Sequence, residues 1–147
     1  MRKVSLFISM SLDGYIADRK GGVDWLGGQD AEAETPDTWV YEDFTTYVIT
    51  HKANTSSENI RFAGENPVEL VKKLREETGK GIWICGGANL AGQLIREDLI
   101  DCYYITVIPT LLGDGIRLFG KEKTGIDLRL THTRAYNGMV ELVYVRR

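Results

Sequence analysis

The sequence predicts an α/β domain, a mixed and mainly parallel sheet flanked by helices and finished by an antiparallel hairpin at the C-terminus. Three observations carry that prediction. Short runs of β-branched and aromatic residues alternate with helix-periodic segments, the pattern of strands joined by crossover helices. The stretch Trp83-Ile84-Cys85-Gly86-Gly87-Ala88-Asn89-Leu90 passes from an apolar run through two glycines into an amphipathic helical pattern. The last third holds two strand-like runs joined at Asn137-Gly138, the strongest short-range signal for a two-residue hairpin.

The elements follow in order. Val4 to Met10 is an apolar run suited to a strand buried on both faces. Gly14, Gly21, Gly22, Gly27 and Gly28 then punctuate a long irregular segment, a candidate wall of a site. Thr46 to His51 is β-branched and aromatic and reads as a second strand, ending in the polar run Asn54 to Asn59. Asn66-Pro67-Val68-Glu69 opens a helix, with an Asx cap and a proline at the first helical position. Val68, Leu70, Val71 and Leu74 continue its apolar face and Gly79 closes it. Ile82 to Cys85 is a third strand, and Leu90, Leu94 and Ile95 mark the face of a second helix. Tyr103 to Ile108 is a fourth strand, stopped by Pro109, which cannot donate to a ladder. Leu128 to Tyr136 and Met139 to Val145 form the hairpin, with His132 in a structural position.

Composition limits what such a domain does. The chain has 147 residues, 43% hydrophobic and 27% charged, enough for one domain with a sizeable core. A net charge of −3 with scattered lysines and arginines leaves no basic surface for a nucleic acid backbone. The first ten residues carry two basic residues and a short apolar run broken by Ser5 and Ser9, with no small-residue cleavage site. No run approaches the roughly 20 apolar residues of a membrane span, so the expectation is a cytoplasmic protein with no membrane partner. The two cysteines, Cys85 and Cys102, lack metal-type spacing and read as reduced, buried thiols. No metal is expected.

The glycine pair is the first chemical hint. Glycines at the end of a strand let a ligand approach the backbone, and the free N–H groups of the following helix favour a phosphate. The same glycines also serve a tight turn and nothing more.

Several separated motifs agree on a family. Ser9-Met10-Ser11-Leu12-Asp13-Gly14-Tyr15-Ile16-Ala17, then Gly22-Val23-Asp24-Trp25-Leu26, resembles the opening of the dihydrofolate-reductase-like superfamily. The resemblance is narrower to the reductase domain of the bifunctional riboflavin-biosynthesis deaminase-reductase and its stand-alone bacterial relatives. The strand-Gly86-Gly87-helix unit, Leu99-Ile100-Asp101, and Ile108-Pro109-Thr110-Leu111-Leu112-Gly113-Asp114-Gly115 fit that group in order and spacing. The resemblance implies a dihydrofolate-reductase-like fold that binds NADPH across the carboxyl ends of its strands and presents the nicotinamide to a small heterocyclic substrate. It also implies a homodimer.

Carried over residue by residue, the resemblance assigns the cofactor pyrophosphate to Gly86, Gly87, Ala88 and Asn89. It sets Ile16 and Ala17 against the nicotinamide, and Thr50, His51 and Lys52 near the adenosine 2′-phosphate, where a cation selects NADP over NAD. Ser11, Leu12 and Tyr15 line the substrate end. Asp13 and Trp25 are the candidate catalytic residues, Asp13 orienting a polar ring edge and Trp25 walling the pocket; a turn-forming Asx residue and a core tryptophan are the plain alternatives. Asp114 and Arg117 are candidates for polar substrate groups, the guanidinium of Arg117 being shaped for a phosphate. A plain turn explains Gly113 and Gly115 equally well.

Two departures stand out. Relatives place a helix and a buried strand ending in a Gly-Arg-x-Thr-type motif before the strand corresponding to Thr46 to His51, whereas here Thr35-Pro36-Asp37-Thr38 runs directly into Trp39-Val40-Tyr41. A segment is expected to be missing near residues 36–39. Cys85 also stands where the riboflavin-pathway reductases tend to carry a glutamate, which points toward the stand-alone relatives. An alternative reading follows from the missing segment: a ligand-binding module that kept the scaffold and lost catalysis.

Overall fold

The computed structural model describes residues 2–22, 24–26, 46–49, 60–63, 66–85, 88–120 and 125–147. The strands are β1 (Val4–Ser11), β2 (Tyr15–Ala17), β3 (Thr46–Ile49), β4 (Ile60–Ala63), β5 (Ile82–Ile84), β6 (Cys102–Ile108), β7 (Ile116–Arg117), β8 (Leu128–Tyr136) and β9 (Met139–Arg146). The helices are α1 (Pro67–Glu76) and α2 (Ala88–Arg96), with a 3-10 turn at Asp24–Leu26. A five-stranded sheet of order β5-β1-β6-β9-β8 forms the body. β1 runs parallel to β5 and β6, whereas β6–β9 and β8–β9 are antiparallel. The α/β class and mixed sheet expected from the sequence are therefore present.

Period-2 alternation sets the two faces of this sheet. Leu6 lies opposite both Ile84 and Tyr103, and Val4 opposite Ile82, so these residues share one face. They join a single core cluster with Leu70, Val71 and Leu74 of α1 and Ala91, Leu94 and Ile95 of α2. Leu6, Leu94, Ile100 and Leu118 are fully buried, each contributing about 1.5–3 kcal/mol through removal from water. The other face bears an aromatic row, with Phe7 stacked on Tyr104 at 4.2 Å between centroids and tilted against Trp83 at 4.6 Å.

Local chemistry explains the ends of the elements. The Asn66 side chain accepts hydrogen bonds from the Val68 N–H (2.9 Å) and the Glu69 N–H (3.4 Å), capping α1 as expected. Gly79 has another use than the expected closure, since α1 already stops at Glu76 with Glu77 in extended backbone. A Cβ on Gly79 would lie 2.9 Å from the Arg2 guanidinium carbon. Arg2 fills that space, donating from Nε to the Lys80 carbonyl (2.6 Å) and from Nη1 to the Leu74 carbonyl (3.3 Å). At the hairpin tip Asn137 and Gly138 both take positive φ, 49° and 76°, the type I′ geometry that matches strand twist.

Three short strands escaped the sequence reading. β2 and β7 form an antiparallel pair, with Tyr15 opposite Arg117, and β4 pairs in parallel with β3. Each is four residues or fewer, too short for an alternating pattern to stand out. The expectation of two buried thiols also needs correction: Cys102 is buried, but Cys85 is exposed. It lies one residue beyond the buried Ile84 at the end of β5, where the core no longer covers the chain.

Candidate functional site

Parallel pairing places the carboxyl ends of β5, β1 and β6 side by side along one edge of the sheet. Three described segments follow that edge: α2 from Ala88, which comes after β5 in the chain, 12–17 after β1, and 109–117 after β6. Ligands of open α/β sheets bind outside the carboxyl ends of the strands.

Two of the segments are clasped to one another. The Leu12 N–H donates to the Thr110 carbonyl (2.9 Å), and the Leu118 N–H to the Gly14 carbonyl (3.0 Å). The Ser11 side chain is fully buried; its hydroxyl donates to Asp13 Oδ1 (2.5 Å) and accepts from the Tyr15 N–H (2.9 Å). Asp13 then crosses to the second segment, accepting from the Leu112 N–H on Oδ1 (3.2 Å) and from the Gly113 N–H on Oδ2 (2.8 Å). The Ser11 hydroxyl, followed by the Gly113 and Leu112 amides, holds the Asp13 carboxyl below its ordinary value against an opposing desolvation effect. Gly115 comes so close to the 17–18 backbone that a Cβ would lie 2.2 Å from the Ala17 carbonyl oxygen, and its φ is +152°. On the outer side Arg19 pairs with Asp114 at 2.6 Å, and the Arg117 guanidinium carbon sits 5.3 Å from the Tyr15 ring centroid.

The expected site residues therefore take different places. Ser11, Tyr15 and Ala17 are buried and Ile16 is partly so, which makes them the floor of the clasp. Leu12 and Leu111 are 62% and 72% exposed at its rim. Asp114 and Arg117 reach other protein groups, Arg19 and Tyr15. Trp25, in the 3-10 turn, is partly buried, and its indole N–H is enclosed without an acceptor among the described residues. Ala88 opens α2; Asn89 beside it is exposed, with its side-chain carbonyl accepting from the Gln93 amide (2.7 Å). Gly86, Gly87, Thr50, His51 and Lys52 lie outside the described residues.

One structural feature fits an anionic cofactor. α2 starts three residues after Cys85 on the ligand edge of the sheet, and its first turn carries no acidic residue. Its leading N–H groups have no intrahelical acceptor and point outward with the positive end of the helix dipole. Sequence reasoning missed Arg19, Thr110 and the Leu112 and Gly113 amides as parts of the site. The Asp13 bonds join residues about a hundred positions apart, and no local pattern announces such a contact. Among the described residues no cluster of His, Cys, Asp and Glu could hold a metal ion, and no described helix is long and apolar enough to cross a membrane.

Comparison with known proteins shows the fold and the family of the chain. An uncharacterized Bacillus subtilis protein, YwjB, is 36% identical, with 99% of this chain and 98% of the relative covered. That match extends over 171 positions, more than the 147 residues of this chain, so the relative carries residues with no counterpart here. The crystal structure of a riboflavin biosynthesis protein from Shewanella, assigned as putative, superposes with a TM-score of 0.81 at 21% identity over 99% of both chains. A Thermotoga maritima diaminohydroxyphosphoribosylaminopyrimidine deaminase/5-amino-6-(5-phosphoribosylamino)uracil reductase superposes with a TM-score of 0.68 at 13% identity, over 99% of this chain and 57% of that one. These two structures share the fold. Residues 32–142 match the RibD C-terminal domain, and with most of its length inside that match the chain belongs to the RibD C-terminal domain family.

Proposed function

We propose that the protein is an NADPH-dependent reductase of a small pyrimidine-like or pteridine-like heterocycle. The observation that carries this reading is the convergence, beside one another on the ligand edge, of a helix N-terminus free of acidic residues and a braced apolar-rimmed loop. The amides of Gly86, Gly87, Ala88 and Asn89 take the pyrophosphate, and Thr50, His51 and Lys52 meet the adenosine end. Ile16 and Ala17 support the nicotinamide. Leu12 and Leu111 shield the heterocycle from water, and Trp25, whose enclosed indole N–H has no acceptor among the described residues, walls the pocket. When bound, NADPH supplies a hydride to the carbon of a C=N bond; a proton from water goes to the nitrogen, and NADP⁺ leaves. The protein contributes positioning and exclusion of water rather than a reacting side chain. Membership of the RibD C-terminal domain family supports a reductase-type role.

Purified protein should oxidise NADPH in the presence of 5-amino-6-(5-phosphoribosylamino)uracil or of dihydrofolate. Gly87→Asp sets a carboxylate against the pyrophosphate and should weaken NADPH binding tenfold or more. Unchanged tight binding by calorimetry in that variant would remove Gly87 from the phosphate site. The shortfall against YwjB favours one second reading, a ligand-binding module without turnover. It predicts a folded protein that oxidises NADPH with neither substrate. We place the protein in the cytoplasm as a homodimer with no nucleic acid or membrane partner; a monomer by light scattering would overturn the dimer.

A further inference from the structure

We propose that Asp13 is a positioning residue, setting the 111–115 loop that walls the substrate end rather than meeting the substrate itself; this rests on the reductase reading above. A carboxylate offers about four acceptor positions, and Asp13 already fills three, with the Ser11 hydroxyl, the Leu112 N–H and the Gly113 N–H. Ser11 is buried and its oxygen is held in turn by the Tyr15 N–H, so the carboxylate is aimed from below by a group that cannot swing away. Apart from Asp13, the middle of this loop is tied to the 12–19 segment by the Arg19–Asp114 ion pair, whose exposed side chains make it a weak anchor. Leu111 is 72% exposed, and the glycines on either side of Asp114 both take positive φ. Deleting the carboxylate leaves two backbone donors without their charged acceptor and frees the loop, while the bonds from Leu12 to Thr110 and from Leu118 to Gly14 keep its ends in place. Asp13 thus acts on the heterocycle through Leu111 and Leu112, fixing how tightly the rim closes.

The test reads the loop and the chemistry separately. In Asp13→Ala the Leu112 and Gly113 amides should exchange with solvent roughly tenfold faster or more, with the β8–β9 hairpin amides unchanged as a control for folding. Asp13→Asn, which keeps one acceptor oxygen, should fall between. With turnover measured, Asp13→Ala should raise KM for the heterocycle about tenfold and keep kcat within threefold. Gly115→Ala leaves the carboxylate intact but displaces the same loop by its clash with the Ala17 carbonyl, and should reproduce that KM rise. Loss of kcat in Asp13→Ala with unchanged Leu112 and Gly113 exchange would make Asp13 a direct participant and overturn the proposal. If neither substrate is turned over, the reductase reading fails, and the exchange rates with the calorimetric affinity for the heterocycle still decide the role of Asp13. Unchanged exchange overturns it there too.

Discussion

Asp13 shows why a residue's type and its neighbours in sequence do not settle its role. As Asp-Gly after a strand it reads equally as a turn former or as an acceptor for a substrate, and the structure shows its oxygens turned to the loop a hundred residues away. A pH dependence follows. The Ser11 hydroxyl and the two loop amides lower its pKa from an ordinary value near 3.8, so the folded state favours the ionised form. The stabilisation is complete above the unfolded value and is lost as pH falls through the lowered, folded value. Thermal melts of the native protein and Asp13→Asn should therefore differ at neutral pH and converge on acidification below about pH 4. A gap between the two curves that stays constant into that acidic range would mean that the carboxylate charge is not what holds the loop. Gly115 is the companion case: its place in a Gly-Asp-Gly turn was readable, but its need for bare backbone beside Ala17 was not.

Elements were legible wherever a local rule sufficed. The Asn66 cap, Pro67 at the helix start and the apolar spacing of α1 are short-range effects, and the helix forms where they place it. Replacing Asn66 by alanine should cost about 1 kcal/mol of stability, read from the midpoint of denaturant unfolding at unchanged slope. A shift too small to measure would show that the two cap bonds are replaced by water without loss. The hairpin likewise follows from Asn137-Gly138 and its positive φ values. Gly79 misled because a glycine after a helix has more than one use. Here it makes room for Arg2, which ties the start of β1 to the end of α1, a requirement visible only once the two segments lie together. β2 and β7 were missed for a related reason, since each is specified by the other across the clasp.

The whole molecule raises the question of what the chain lacks. YwjB carries residues absent here, and among the described residues β3 pairs with β4 alone, outside the five-stranded sheet. A two-stranded pair is marginal by itself in water. We propose that the shortfall lies near residues 36–39, in the stretch of chain that precedes β3. Grafting the unmatched YwjB residues between Pro36 and Trp39 should raise the melting temperature and tighten NADPH binding. No change in either measurement would place the shortfall elsewhere. The sequence by itself determined the α/β class, the order of the long strands and helices, the Asn66 cap and the Asn137-Gly138 turn, and the family, because periodicity, capping and motif spacing are properties of neighbours along the chain. Only the tertiary structure decided that both described helices feed one core cluster, that Ser11 is buried beneath Asp13, and that the 12–17 and 109–117 segments form one clasp. Those facts depend on parallel pairing of β5, β1 and β6, which brings distant carboxyl ends to one edge. The physical reason is that hydrogen-bond partners a hundred residues apart leave no periodic trace in the chain that carries them.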